Sequence, residues 1–233
     1  MIDTLIFDAY GTLFDEGRES IPKVARYIVI DLSLKLEPEV IFESWSKNYF
    51  SLEKRLFDDE CIHSFKTIRD INTESLRLTF NQFGINADPS KYINLLFRWW
   101  CTPNLFPEVR DVIKELSPKY KIGIVSNADN ETLFSALEHT KLNVDYVLTS
   151  EIARSYKPNK NIFIKCLNDL NVKKSNILYV GNSIADILGA KSVGLTMVWV
   201  NRKGITIDDN LPKPDYEVKN LSYIPKIIKK INY

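Results

Sequence analysis

The chain has 233 residues, 45% of them hydrophobic, and sets 31 Lys and Arg against 30 Asp and Glu. That length holds one α/β unit and a smaller inserted one. The near-zero balance offers no basic excess for nucleic acid and no acidic excess for a disordered tail. No apolar run reaches the about 18 residues of a membrane helix, and Asp3 and Asp8 interrupt any early apolar segment, so neither a membrane span nor a secretory leader is expected.

Cys61, Cys101 and Cys166 are scattered without CxxC spacing, which suits reduced thiols and a cytoplasmic location and implies neither a disulfide framework nor a zinc site. With only His63 and His139 present, a multi-histidine metal site is not expected.

In chain order, residues 1–7 form a short apolar run in which Leu5, Ile6 and Phe7 suit a strand buried on both faces of a parallel sheet. The run stops at Asp8-Ala9-Tyr10-Gly11-Thr12. In open α/β sheets ligands bind beyond the carboxyl ends of strands, so Asp8 stands where a carboxylate can act as a covalent nucleophile. From 21 to 97 the pattern is helical, with apolar stripes at Val24, Ile28, Ile30, Leu34; at Val40, Ile41, Trp45, Tyr49, Leu52; at Leu76, Leu78, Phe80, Phe83; and at Ile93, Leu96, Phe97, Trp100. From Pro107 helix and strand alternate: helices at 108–116, 131–139, 161–170, 186–193 and 224–231, strands at 121–125, 146–149, 177–180, 196–200 and 216–218. Such alternation means βαβ units. The expected fold is α/β, a doubly wound parallel sheet built from 1–14 and 101–233, with a helical cap inserted at 15–100. Glycine is sparse, 8 residues in all, and the glycines fall largely at motif positions, Gly11, Gly123, Gly181, Gly189 and Gly194, where backbone conformation is a reason to keep them.

Four short motifs follow one another: Phe7-Asp8-Ala9-Tyr10-Gly11-Thr12; Ile124-Val125-Ser126-Asn127; Tyr156-Lys157-Pro158; and Val180-Gly181-Asn182-Ser183-Ile184-Ala185-Asp186. Their ordered set resembles the haloacid dehalogenase superfamily of aspartyl-nucleophile hydrolases. The resemblance implies a Rossmann-like core, a small-molecule substrate, and catalytic roles for Asp8, Lys157 and Asp186. Lys157 would pair with Asp8 and keep it ionised, and Asp186 would orient Lys157 or a water. Tyr10, Thr12, Ser126, Asn127, Asn182 and Ser183 would contact substrate.

Tyr10 separates the branches of that family. Its phosphatases carry a second aspartate there as acid and base, whereas a tyrosine, with an ordinary pKa near 10, substitutes poorly. A halide leaving group needs no proton, and this start looks like the 2-haloacid dehalogenase branch. Asn182 replaces a charged ligand to Mg²⁺, so no metal or other cofactor is favoured. Two residues depart from the dehalogenase pattern. Ser46, after Trp45, stands where that branch has an arginine that clamps the substrate carboxylate, with Lys47 adjacent but pointing elsewhere. Phe163 stands where it has a tyrosine. Three readings follow: a dehalogenase-like hydrolase of a small acidic substrate; a weak Mg²⁺-dependent phosphatase using Asp8, the Tyr10 carbonyl, Asn182 and Asp186 as ligands; and a binding protein with the family fold but little turnover. No nucleic-acid or membrane partner is expected, and a homodimer is left open.

Overall fold

Leu5 and Phe7 turn to one side of the central sheet and Ile6 to the other, and both sides are buried. The period of two along a strand, applied to an unbroken apolar run, produces this two-sided burial. The computed structural model describes residues 1–15, 17, 20–57 and 65–232, without the side chains of 55–57. Cys61 and His63 lie outside the described residues.

The sheet has six parallel strands: β1 (Thr4–Phe7), β2 (Lys121–Ser126), β3 (Tyr146–Thr149), β4 (Ile177–Gly181), β5 (Thr196–Val200) and β6 (Tyr216–Val218). Their order is β3-β2-β1-β4-β5-β6. Phe7 sits level with Ile124 on β2 and Val180 on β4. The chain builds outward from β1 in one direction, then returns to add β4 on the other side. The crevice beyond the carboxyl ends at that reversal is where such sheets bind ligands, and β1 ends there, one residue before Asp8.

Between β1 and the rest of the sheet the described residues form four α-helices: α1 (Ser20–Asp31), α2 (Pro38–Phe57), α3 (Ile68–Gln82) and α4 (Ser90–Cys101). They share a core of their own, with Val24, Ile28, Ile41, Trp45, Leu76, Phe80, Ile93 and Phe97 all buried. The expected stripes hold with local exceptions. Ile30 is 69% exposed, because two residues beyond Ile28 is about 200° around a helix. Val40 and Phe83 are also exposed, at stripe ends. Thr67 begins α3 with a reciprocal capping box to Asp70.

Among the described residues six α-helices flank the sheet: α5 (Val109–Leu116), α6 (Asn130–Thr140), α7 (Ser150–Ala153), α8 (Lys160–Leu170), α9 (Ile184–Ser192) and α10 (Ile224–Asn232). The 3.6-residue pattern finds all but α7, whose four residues are too few to show a period. Gly189 in α9 lets that helix lie on Phe163 of α8. A Cβ there would stand 2.1 Å from the Phe163 ring. Among the described residues no helix is long and apolar enough to cross a membrane, and Cys101 and Cys166 are free thiols.

Candidate active site

Asp8 leaves β1 with its N–H donated to Val180 O at 2.8 Å, which continues the β1–β4 ladder and fixes the carboxylate at the sheet's edge. Gly11 then turns the chain at φ +84°, and a Cβ there would lie 2.1 Å from Asn182 Nδ2. Glycine thus permits both the left-handed turn and the approach of the β4–α9 loop.

Lys157 joins the motifs. Its Nζ lies 2.6 Å from Asp8 Oδ1 and 2.6 Å from Asp186 Oδ1. Its remaining N–H faces Val125 O at 3.1 Å and the Tyr179 hydroxyl at 3.3 Å. An ammonium has three donors, so this one is fully committed within the protein. Two carboxylates flank one cation, and all three groups are buried. Burial pushes the Asp8 carboxyl above the usual carboxylate range, opposed by Lys157 and reinforced by the Asp186 charge. Asp186 is held below that range despite burial, because Lys157 and the hydroxyl and N–H of Ser183 all favour its anion. Lys157 stays above the ordinary lysine range, since its two carboxylates outweigh burial.

The other expected residues gather here in different roles. Thr12 is wholly buried and donates Oγ1 to Asp8 Oδ2 at 3.0 Å. Its hydroxyl is thus engaged by the Asp8 carboxylate within the protein. Asn127 spends its side chain on the Lys157 backbone, accepting its N–H at 2.7 Å and donating to its carbonyl at 3.0 Å. The Asn127 amide thus fixes the lysine loop, while the residue also lines the cavity. Ser183 caps α9, with Oγ 2.6 Å from Asp186 Oδ2, and is likewise occupied within the protein. Ser126 Oγ reaches Asp8 Oδ1 at 3.4 Å, and both residues face the open site, as do Tyr10, Asn127, Asn182 and Ser183. The Tyr10 hydroxyl donates to Trp100 O at 2.8 Å, and burial pushes its pKa well above the ordinary phenol value.

Two residues were not expected from the sequence. Tyr179, on β4, donates its hydroxyl to Asp186 Oδ1 at 2.8 Å. A tyrosine in the run Leu178-Tyr179-Val180 carries the signal of a core strand residue. Asp129 accepts the N–H groups of Ile68 and Arg69 at 2.8 and 2.9 Å, so its carboxylate caps α3 from the opposite side of the site. Burial raises it to about 6. Arg69 adds an ion pair with Glu131 at 2.8 Å, and the Tyr156 hydroxyl donates to Lys66 O at 2.6 Å. These contacts draw the start of α3 onto the strand ends.

Between the four inserted helices and the sheet's carboxyl edge lies a cavity of about 620 Å³ with Asp8, Lys157, Asn182 and Ser46 on its walls. The donor set suits a magnesium ion poorly. Both Asp186 oxygens are consumed by Lys157, Tyr179 and Ser183, and both Asp8 oxygens are engaged by Lys157, Ser126 and Thr12. Asn182 and the Tyr10 carbonyl add no charge, while a hard dication asks for anionic oxygens. Among the described residues no other cluster of acidic, histidine or cysteine side chains could hold a metal.

The model of haloacid dehalogenase-like hydrolases matches residues 5–200. The chain is 24% identical to an (S)-2-haloacid dehalogenase of Pseudomonas sp. (strain YL) over 241 residues, covering 98% of this chain and 95% of that protein. It is 25% identical to the human N-acylneuraminate-9-phosphatase over 244 residues, covering 99% and 95%. A crystal structure of an L-2-haloacid dehalogenase superposes with a TM-score of 0.81 at 22% identity, covering 98% of this chain and 99% of the other. The shared fold, the ordered motifs and the match across most of its length mean that the chain belongs to the haloacid dehalogenase-like hydrolases.

Proposed function

We propose that the chain hydrolyses its substrate through an ester on Asp8, and that the reaction is dehalogenation at a carbon next to a carboxyl group. In this reading residues 15–100 act as a cap over the core of 1–14 and 101–233. The observation that carries it is the pairing of a buried, lysine-held Asp8 with a Tyr10 whose hydroxyl is tied to Trp100 O. In this reading Asp8 is the nucleophile, and position 10 offers no carboxylic acid to protonate a poor leaving group in the first step, the displacement onto Asp8.

An Asp8 oxygen attacks the halogen-bearing carbon. The new C–O bond forms as the C–halogen bond breaks, and the halide leaves with the electron pair and needs no proton. Water then adds to the ester carbonyl; one of its protons goes to the departing alkoxide oxygen and the other to solvent, so the alcohol is released and Asp8 returns as a carboxylate. Thr12 and Ser126 hold the two carboxylate oxygens in place, and Lys157 keeps positive charge beside them. Asp186 and Tyr179 fix Lys157, and Asn127 fixes its backbone. Orientation of this kind is a large part of catalytic advantage in a water-poor site.

The phosphatase reading draws on one specific observation, the similarity to the human phosphatase over nearly the whole chain. The two are separated by assaying halide release from L-2-haloacids and phosphate release from small phosphate esters, each with EDTA and with Mg²⁺. Halide release that EDTA leaves unchanged is expected. Phosphate release that vanishes with EDTA and returns with Mg²⁺ would replace the dehalogenase reading with the phosphatase one.

A further inference from the structure

We propose that the helical side of the cavity is a subsite for a ring-sized apolar substituent, so that the substrate is an aryl-bearing 2-haloacid and not a two- or three-carbon one. This rests on the dehalogenase reading and names its substrate class.

The first argument is size. The cavity, at about 620 Å³, is many times the space that a single water needs. A three-carbon haloacid brings about six non-hydrogen atoms and would leave most of that space to water. Cavities in the range of about 300–1,000 Å³ usually take far larger ligands.

The second argument is the lining. α2 contributes Phe42, Trp45, Tyr49 and Phe50, and α4 contributes Phe97 and Trp100. Their polar atoms are used elsewhere. Trp45 Nε1 donates to Ser75 Oγ at 3.0 Å, and Trp100 Nε1 to Gly17 O at 3.0 Å. On this side Phe42, Tyr49, Phe50 and Trp100 offer ring surface, Trp45 and Phe97, each 1% exposed, back them with little of their own, and among the described residues Glu53 is the one charged side chain α2 adds. Phe97 and Trp100 are already tilted against each other at 5.0 Å, and Tyr49 and Phe50 meet edge to face at 5.9 Å. A further ring can extend such clusters in the same geometries.

The third argument concerns Ser46 and Lys157. Ser46 lies among these aromatics on the cavity wall. A serine there leaves open volume where a longer side chain would shorten the pocket. Lys157 has no donor left for a substrate carboxylate. Binding energy for a short acid is therefore scarce, whereas apolar area is plentiful.

The test uses the intact protein and inert 2-hydroxyacids, the product class, measured by calorimetry. Phenyllactate is expected to bind at least tenfold more tightly than lactate. Phe50 is half exposed, so Phe50→Ala should fold normally. It is expected to weaken phenyllactate about three- to tenfold, the range for loss of one aromatic contact. Ser46→Trp, which fills the cavity, should narrow the preference further. Equal affinity of the two acids, undetectable phenyllactate binding, or a preference that neither variant changes overturns the subsite. Binding is read without turnover. A phenyl preference with no halide release would therefore remove the reaction reading and keep the subsite, and release from short haloacids with no phenyl preference would do the reverse.

Discussion

The ring of Phe163 packs edge-on against Tyr179 with centroids 5.2 Å apart, and it is Tyr179 whose hydroxyl reaches the charged network, 2.8 Å from Asp186 Oδ1 and 3.3 Å from Lys157 Nζ. The resemblance to 2-haloacid dehalogenases places a tyrosine at position 163. Here the phenol comes from the strand beneath it, and the helix position supplies only the ring that wedges it. Tyr179 stays protonated, because burial and the neighbouring carboxylates push its pKa far upward, so it acts as a donor. Tyr179→Phe is expected to lower kcat about tenfold, in the range for a lost hydrogen bond to a charged group. KM should change little. With Asp186 one donor short, Lys157 is drawn toward it and serves Asp8 less, so the acidic limb of the pH–rate profile should move up. A melting temperature that falls while kcat and the pH profile stay fixed would reduce Tyr179 to packing.

Lys157→Ala leaves two buried carboxylates without their cation. Removing one partner of a buried ion pair costs about 3–5 kcal/mol, and thermal melts should show a loss of that size. Adding Asp186→Asn removes one orphaned charge and should restore part of it. Asp8, already raised by burial, rises further without the ammonium, so the acidic limb of any residual activity shifts to higher pH. A profile with an unmoved acidic limb would show that Lys157 does not control Asp8.

Asp129 connects pH to stability. Its folded carboxyl titrates at about 6, above the ordinary 3.8. Between those values the folded state holds a proton that the unfolded chain has lost, so this group's favourable contribution is complete below about pH 4 and disappears as pH rises through 6. The stability of wild type relative to Asp129→Asn should therefore fall by about 2–3 kcal/mol from pH 4 to pH 7, read from denaturant melts at several pH values. A difference independent of pH would contradict the assigned shift.

Much of the site was legible because its residues lie in short local patterns. Asp8 ends an apolar run, Lys157 precedes Pro158, and Asp186 follows the last glycine-bearing strand by a few residues. The sheet was legible for a related reason, since buried parallel strands are continuous apolar runs. What escaped depends on pairing across the fold. Asp129 caps α3 from 60 positions away in sequence, and no spacing rule reports that. Tyr179 reads as core because its ring is core, and only the tip of its side chain has chemistry. Thr12, Asn127 and Ser183 were legible as site residues but not as supports, since a residue's type does not say whether its polar atoms turn to the ligand or to the protein. Ser46 was legible as a departure, but the aromatic space around it comes from two helices meeting.

Asp8→Asn should abolish turnover while the fold persists, since an amide keeps the shape, retains acceptance from Thr12 and loses the nucleophile. Residual activity above a few per cent, with deamidation excluded by mass spectrometry of the peptide carrying residue 8, would contradict the covalent mechanism.

The covalent role of Asp8 is tested most directly by oxygen labelling. Enzyme in molar excess over an L-2-haloacid is turned over once in heavy-oxygen water, and both the product and the peptide carrying Asp8 are weighed. If the ester forms on Asp8 and water cleaves its carbonyl, the first product carries ordinary oxygen from the carboxylate and the heavy atom is found in Asp8. Heavy oxygen in the first product, with Asp8 unlabelled, would mean that water attacks the substrate directly and that Asp8 is not the nucleophile.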